Sequence, residues 1–187
     1  MGGLLAVLGP LSAVNVWVLR IGRYIGVVAI AFMVVAILIQ VFFRYILNNA
    51  LPWPDEAARF GMLWMTGLMA PTAFRRGGFV AIDMFVVALP SVIGRIVTLF
   101  LLILSLLVLA VAVKIGWSEV TGFGGRFATA ALDLPTTLGF DEWFRIPRSW
   151  RMASLFVGVC LLAWVNIELI LRNIVAILGG ENELPPI

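Results

Sequence analysis

The sequence contains no histidine and a single cysteine, Cys160. Without imidazole there is no haem ligation by paired histidines, no His-based zinc site and no Ser-His or Cys-His nucleophile. One cysteine can form neither an intrachain disulfide nor a thiolate cluster. Charge is scarce as well: Asp, Glu, Lys and Arg make up 12% of the 187 residues, against about 25% in an ordinary soluble domain. These shortages exclude most catalytic membrane proteins, and the chain is expected to be no enzyme and to hold no catalytic residue, metal or cofactor. What replaces the missing groups is hydrocarbon. Apolar residues are 63% of the chain and the mean hydropathy is +1.10. A soluble fold of this size leaves too much of its area facing water to hide so many apolar side chains, so lipid is the solvent that suits the composition.

The 13 basic residues exceed the 10 acidic ones by three, but they are scattered and form none of the Lys/Arg clusters of a nucleic-acid patch. Many instead flank apolar runs, as basic residues do at membrane edges. Tyr24 to Phe43 carries no charge and lies between Arg23 and Arg44, and Ile96 to Val113 lies in the same way between Arg95 and Lys114. Met152 to Ile167 is a third run, resuming past Glu168 to Leu171. Phe60 to Phe74 is shorter, and reaches spanning length if Ala57 to Arg59 open it at the interface. A crossing needs about 20 mostly apolar residues. The expected fold is therefore an all-α integral membrane bundle of four transmembrane helices with short interfacial helices, in a single domain. The spans fall at about residues 24–45, 56–74, 94–114 and 151–172, with a long periplasmic loop at 115–150.

Between the first two spans, Pro52 and Pro54 bracket Trp53, and Asp55 and Glu56 follow in the first turn of span two, where the helix dipole favours carboxylates. Trp53 suits headgroup depth. After span two, Arg75-Arg76-Gly77-Gly78 leads to Phe79–Leu89, which is too short to cross and is expected to lie in the interface. The patches 127–134 and 143–146 of the long loop are expected as short surface helices. The first 19 residues lack the early positive charge of a cleavable signal. Pro10 is expected to break them, and Leu11, Val14, Trp17, Val18 and Ile21 share one face of a short interfacial helix. With four spans both termini share a side. That side holds Arg20, Arg23, Arg75, Arg76, Arg95 and Arg172, six basic residues against seven on the other. The early and short-loop pairs Arg20/Arg23 and Arg75/Arg76 weigh most in the positive-inside rule, placing both termini in the cytoplasm.

Few groups in the spans carry chemistry. Glu168 and Arg172 stand four apart with the acid first, a favourable same-face order. They read either as a self-neutralised couple near the cytoplasmic helix end or as a polar contact to another membrane subunit. Ala57, Gly61, Gly67, Ala70 and Ala73 recur along span two and suit close helix packing in lipid, within the bundle or on a partner. Met62, Met65 and Met69 read as adaptable packing. Gly122-Phe123-Gly124-Gly125 lacks the Lys-Ser/Thr of a phosphate cradle, and Asp141-Glu142 reads as solvated charge.

The order of motifs resembles one family. Arg44-Tyr45-Ile46-Leu47-Asn48, Trp53-Pro54-Asp55-Glu56-Ala57-Ala58-Arg59, Arg75-Arg76-Gly77 and Val80-Ala81-Ile82-Asp83, with Ile146-Pro147-Arg148-Ser149-Trp150 before the last span, are similar to the small membrane (Q-type) subunit of tripartite ATP-independent periplasmic (TRAP) transporters. Where that family often has Glu-His before its Val-Asp segment, this chain has Gly78-Phe79. The resemblance implies a non-catalytic inner-membrane subunit of a sodium-driven secondary transporter that takes up an organic acid or similar solute. Its implied partners are a large membrane subunit holding the transport sites, a periplasmic substrate-binding protein that docks transiently, and the lipid bilayer. Candidate partner-interface residues are Arg44, Trp53, Asp55, Glu56 and Arg59 at the periplasmic rim, Arg75, Arg76 and Asp83 at the cytoplasmic rim, and Glu168. The rival reading is a membrane anchor or assembly subunit of another inner-membrane complex, such as a redox enzyme.

Overall fold

A computed structural model of the chain describes residues 2–49, 51, 53–77, 90–122, 128–135 and 143–180. Four long helices carry the fold: α1 (Gly2–Tyr45), α2 (Trp53–Arg75), α3 (Ser91–Thr121) and α4 (Arg148–Ile177). A two-stranded antiparallel hairpin, β1 (Ala128–Pro135) and β2 (Trp143–Pro147), joins α3 to α4. Neighbouring helices pack in the order α1, α2, α4, α3, so chain order and spatial order differ at the last two. α1, α3 and α4 are each long and apolar enough to cross a membrane. α2 has 23 residues, about 35 Å of helix, which matches a bilayer in length while being less apolar.

Three expectations are corrected. Pro10 does not break the first stretch: it lies inside α1, a continuous 44-residue helix with no separate interfacial segment before it. A helical proline forfeits one backbone bond and clashes with the preceding turn. Pro10 stands on the exposed side of α1, and in apolar surroundings leaving the helix would free still more backbone groups with no water to satisfy them. At 44 residues α1 is about 66 Å long, roughly twice the hydrocarbon thickness. Second, the patches at 127–134 and 143–146 are not helices. Residues 128–135 and 143–147 pair as strands, with Asp133 opposite Arg145 and Pro135 opposite Trp143. The β-branched and aromatic content of Trp-Phe-Arg-Ile suits a pleated ribbon, and prolines stand at the ends of both strands, where a missing N–H is tolerated. Third, the loop is shorter than 115–150, because α3 runs on to Thr121 and α4 begins at Arg148. The segment 79–89 lies outside the described residues.

Which face of α1 turns inward follows from the solvent. Leu8, Ser12, Asn15, Leu19, Gly22, Gly26, Ala36 and Gln40 are buried and recur mostly three or four residues apart, the spacing of one helix face. Val14, Trp17 and Ile21, on the apolar face read from sequence, point outward. Lipid takes large apolar side chains as readily as a core does, so the small and polar residues are the ones that gain from facing another helix. Ala36 and Ala57 meet there with Phe60 beside them, and Gly61 lies where an added Cβ would touch the Ala29 carbonyl at 3.4 Å. α2 and α4 approach more closely still: a Cβ on Gly67 would stand 2.5 Å from the Ser154 carbonyl oxygen, and one on Gly158 would stand 2.7 Å from the Gly67 Cα.

Of the long helices, α3 packs chiefly on α4. Asn166 Nδ2 donates to the Leu102 carbonyl at 3.2 Å, and the Trp117 and Phe156 rings meet at 5.7 Å. Arg95 Nη1 donates to the Ala176 carbonyl at 2.7 Å, placing a cation where the last carbonyls of α4 concentrate negative charge. Gly77 and Gly179, both at positive φ, close α2 and α4 in the left-handed conformation that glycine adopts at no steric cost.

Candidate functional site

Charge inside the bundle gathers at one level. Glu168 on α4 is fully buried, with Arg75 at the end of α2, Arg172 one turn further along α4, and Ser12 and Asn15 on α1 all buried around it. Arg75 meets the carboxylate as a fork, Nη2 donating to Oε1 at 2.7 Å and Nε to Oε2 at 2.9 Å. Such two-pronged contact fixes orientation as well as distance. Arg172 Nε donates to Oε1 at 2.9 Å, the expected pair four residues apart. Asn15 Nδ2 donates to Oε2. The Ser12 hydroxyl oxygen accepts from Nη2 of both arginines, at 3.0 Å each. A carboxylate offers about four lone-pair sites, and Arg75, Arg172 and Asn15 together occupy those of Glu168. The cluster is thus a knot tying α1, α2 and α4.

A second charged layer lies at the other end. Glu56, in the first turn of α2, accepts from Arg151 Nη1 of α4 at 3.3 Å and stands 3.6 Å from Arg59 Nη1. Arg151 sits in the first turn of α4, where the helix dipole disfavours a cation, and the Glu56 carboxylate offsets that. Arg75 is 19 residues beyond Glu56 on α2, and Glu168 is 17 beyond Arg151 on α4. At 1.5 Å per residue the two layers are about 28 and 26 Å apart, close to a hydrocarbon thickness of about 30 Å. The Gly67–Gly158 crossing falls between them.

Of the residues read from sequence, Glu56, Arg59, Arg75 and Glu168 join these layers. Arg75 is not a surface residue of the rim: it is 5% exposed and turned into the bundle. Arg44, Asp55, Arg59 and Arg76 are exposed, and Trp53 is 37% exposed at the start of α2. Asp83 lies outside the described residues. Sequence reasoning missed Ser12 and Asn15, and it missed that Arg75 reaches α4. The signal was present: Ser12 and Asn15 are the only strongly polar residues between Met1 and Val18, and polar side chains in an apolar helix face other helices.

A comparison with curated proteins finds no match. Residues 33–176 match the family described as tripartite ATP-independent periplasmic transporters, DctQ component. That component is the small subunit and works with the DctM and DctP components of the same transporters. Most of this chain, including α2, α3 and nearly all of α4, lies within the match, and the motifs from Arg44 to Asp83 that resemble the family from sequence alone fall inside it. The chain belongs to the DctQ family, which is a family of membrane transporter components and not of enzymes.

Proposed function

We propose that the chain is a non-catalytic brace in a sodium-driven uptake system for an organic acid or similar solute, holding the large transport subunit in the bilayer. α2 is the fourth membrane crossing, enclosed between α1 and α4 and bounded by the two charged layers. Both termini are cytoplasmic, so the Arg75–Glu168 knot lies toward the cytoplasm, and the Glu56–Arg151 layer and the hairpin lie toward the periplasm. The binding protein docks transiently on that periplasmic face. Arg44, Trp53, Asp55 and Arg59 present the rim there to the large subunit, and Arg76 and Asp83 present the opposite one.

The observation that carries this reading is where the buried charge sits. Among the described residues Arg75, Glu168 and Arg172 are the buried charged groups. They saturate one another at one level and do not line a path from one face to the other, whereas a charged pathway needs ionisable groups at successive depths. α3 adds support: none of its most apolar 18 residues is buried within the chain, leaving a broad surface for lipid or for a larger neighbour. Purification with the large subunit tests the proposal. Arg59, with its side chain 70% exposed, gives the cleanest variant. Arg59→Glu is expected to shift the stability of the isolated chain by no more than about 0.5 kcal/mol, as exposed substitutions do, while lowering recovery of the large subunit and solute uptake. Glu56→Lys sets a third cation between Arg59 and Arg151 and is expected to lower both stability and recovery. Full recovery and uptake with Arg59→Glu would remove that rim from the interface, and solute flux through the chain alone would end the bracing proposal.

A further inference from the structure

A cavity of about 200 Å³ opens between α1 and α2 on the side of the Arg75 knot, and its polar lining is almost entirely cationic. Arg20 and Arg23 reach it from α1, and Arg75 and Arg76 from α2. No carboxylate lines it. Arg75 is committed to Glu168 and Ser12, but Arg20, Arg23 and Arg76 have no ion-pair partner among the described residues. Thr72 lines the same cavity, and its buried hydroxyl oxygen has no hydrogen-bond partner. A helical threonine ordinarily satisfies itself on the carbonyl one turn back, as Thr66 does on Met62 and Thr98 on Gly94. The Thr72 hydroxyl is thus unpartnered in the wall of a cavity whose charged groups are all guanidinium.

We propose that this cavity holds the phosphate of an anionic membrane lipid headgroup. Guanidinium groups match phosphate oxygens in pairs, and basic pockets between membrane helices on the cytoplasmic side suit such headgroups. Depth selects a lipid over free phosphate. Arg23 immediately precedes the charge-free run Tyr24 to Phe43, so the cavity sits where headgroups meet hydrocarbon. Its wall also includes Val16 and Leu19, and the exposed Tyr24, Ile25 and Val28 offer acyl chains a surface to follow. Arginine stems lie along such a surface while their heads reach the phosphate. The inference rests on the proposed cytoplasmic placement of this end and not on which transporter the chain serves.

The test uses the full-length chain in detergent, with bound phosphatidylglycerol or phosphatidylcholine counted by native mass spectrometry. Phosphatidylglycerol is expected to bind in preference. Each of Arg20→Gln, Arg23→Gln and Arg76→Gln is expected to weaken it about 5-fold and the triple variant about 100-fold, following the contribution of each cation near a charged lipid surface. Arg75 is left in place so that the knot persists. Lysine at the three positions is expected to keep most of the preference, which separates lost charge from lost fold. Arg44→Gln with Arg59→Gln, at the other end of the bundle, is expected to keep all of it. Millimolar inorganic phosphate is expected to leave the lipid bound. Equal binding of the two lipids, native-like binding by the triple glutamine variant, an equal loss in the distant pair, or displacement by inorganic phosphate would each overturn the proposal.

Discussion

Glu168→Leu is expected to be among the most damaging single substitutions in the bundle, costing about 3–5 kcal/mol because it leaves two buried arginines without their anion. Arg75 and Arg172 are 5% and 7% exposed, so most of their hydration is already lost when the carboxylate is removed. Glu168→Gln is expected to lie close behind: it keeps the shape, but its amide nitrogen turns a donor toward guanidinium donors and its charge is gone. The measurement is reversible unfolding of the purified chain in mixed detergent, or its melting temperature in one detergent. The informative arm removes the whole knot. Arg75→Met, Glu168→Leu and Arg172→Met together exchange three charges for apolar groups of similar bulk, and such replacement of a buried ion cluster is often neutral or stabilising. The triple variant is therefore expected to recover most of what Glu168→Leu alone loses. A Glu168→Leu chain as stable as the native one would mean that the knot does not hold the helices together. A triple variant no better than the single would place the loss in packing instead of in charge.

How much of this was legible in the sequence depends on whether a feature is local. The Glu168–Arg172 pair was readable from its four-residue spacing, since both residues live on one helix. The third partner was not. Arg75 adjoins Arg76 in a basic turn, and nothing within that turn distinguishes the arginine that turns inward from the one that stays exposed. Only the α2–α4 approach at Gly67 and Gly158 brings Arg75 level with Glu168. Ser12 and Asn15 were lost for another reason. The expected break at Pro10 and the search for an apolar contact face directed attention to Val14, Trp17 and Ile21, which lipid leaves outside. In a membrane the inward face is read from the small and polar residues, and on that criterion positions 8 to 26 of α1 line up. The hairpin was misread because Ala and Asp are weak strand formers, and its pairing rests on register between segments seven residues apart. Family membership was legible because its motifs lie at helix ends, where sequence and position are tied most closely.

Gly158→Ala is the second substitution with a large expected effect, and its cost is geometric. An added methyl would lie 2.7 Å from the Gly67 Cα and 2.8 Å from the Gly67 carbonyl oxygen. Both are backbone atoms, so no side-chain rotation relieves the clash and α2 must move away from α4. Overpacking of this kind costs about 1–3 kcal/mol in well-packed interiors, and in lipid the lost close contact is itself the main attraction between helices. Gly67→Ala meets the Ser154 carbonyl oxygen at 2.5 Å and is expected to cost as much. Because both substitutions relieve themselves by the same separation, the double variant is expected to lose less than the sum of the two. Gly9→Ala is the matched control: nothing lies within 4 Å of its added methyl, and exchanging glycine for alanine inside a helix gains up to about 1 kcal/mol. The separation should also be felt at a distance. The crossing lies between the two charged layers, so moving α2 from α4 lengthens the Glu56–Arg151 contact on one side and pulls Arg75 from Glu168 on the other. Gly158→Ala is accordingly expected to make Glu168→Leu less costly than it is in the native chain, because the fork it destroys is already weakened. Fully additive losses for that pair, measured in one detergent by the same unfolding transition, would show that the crossing and the knot hold the helices independently.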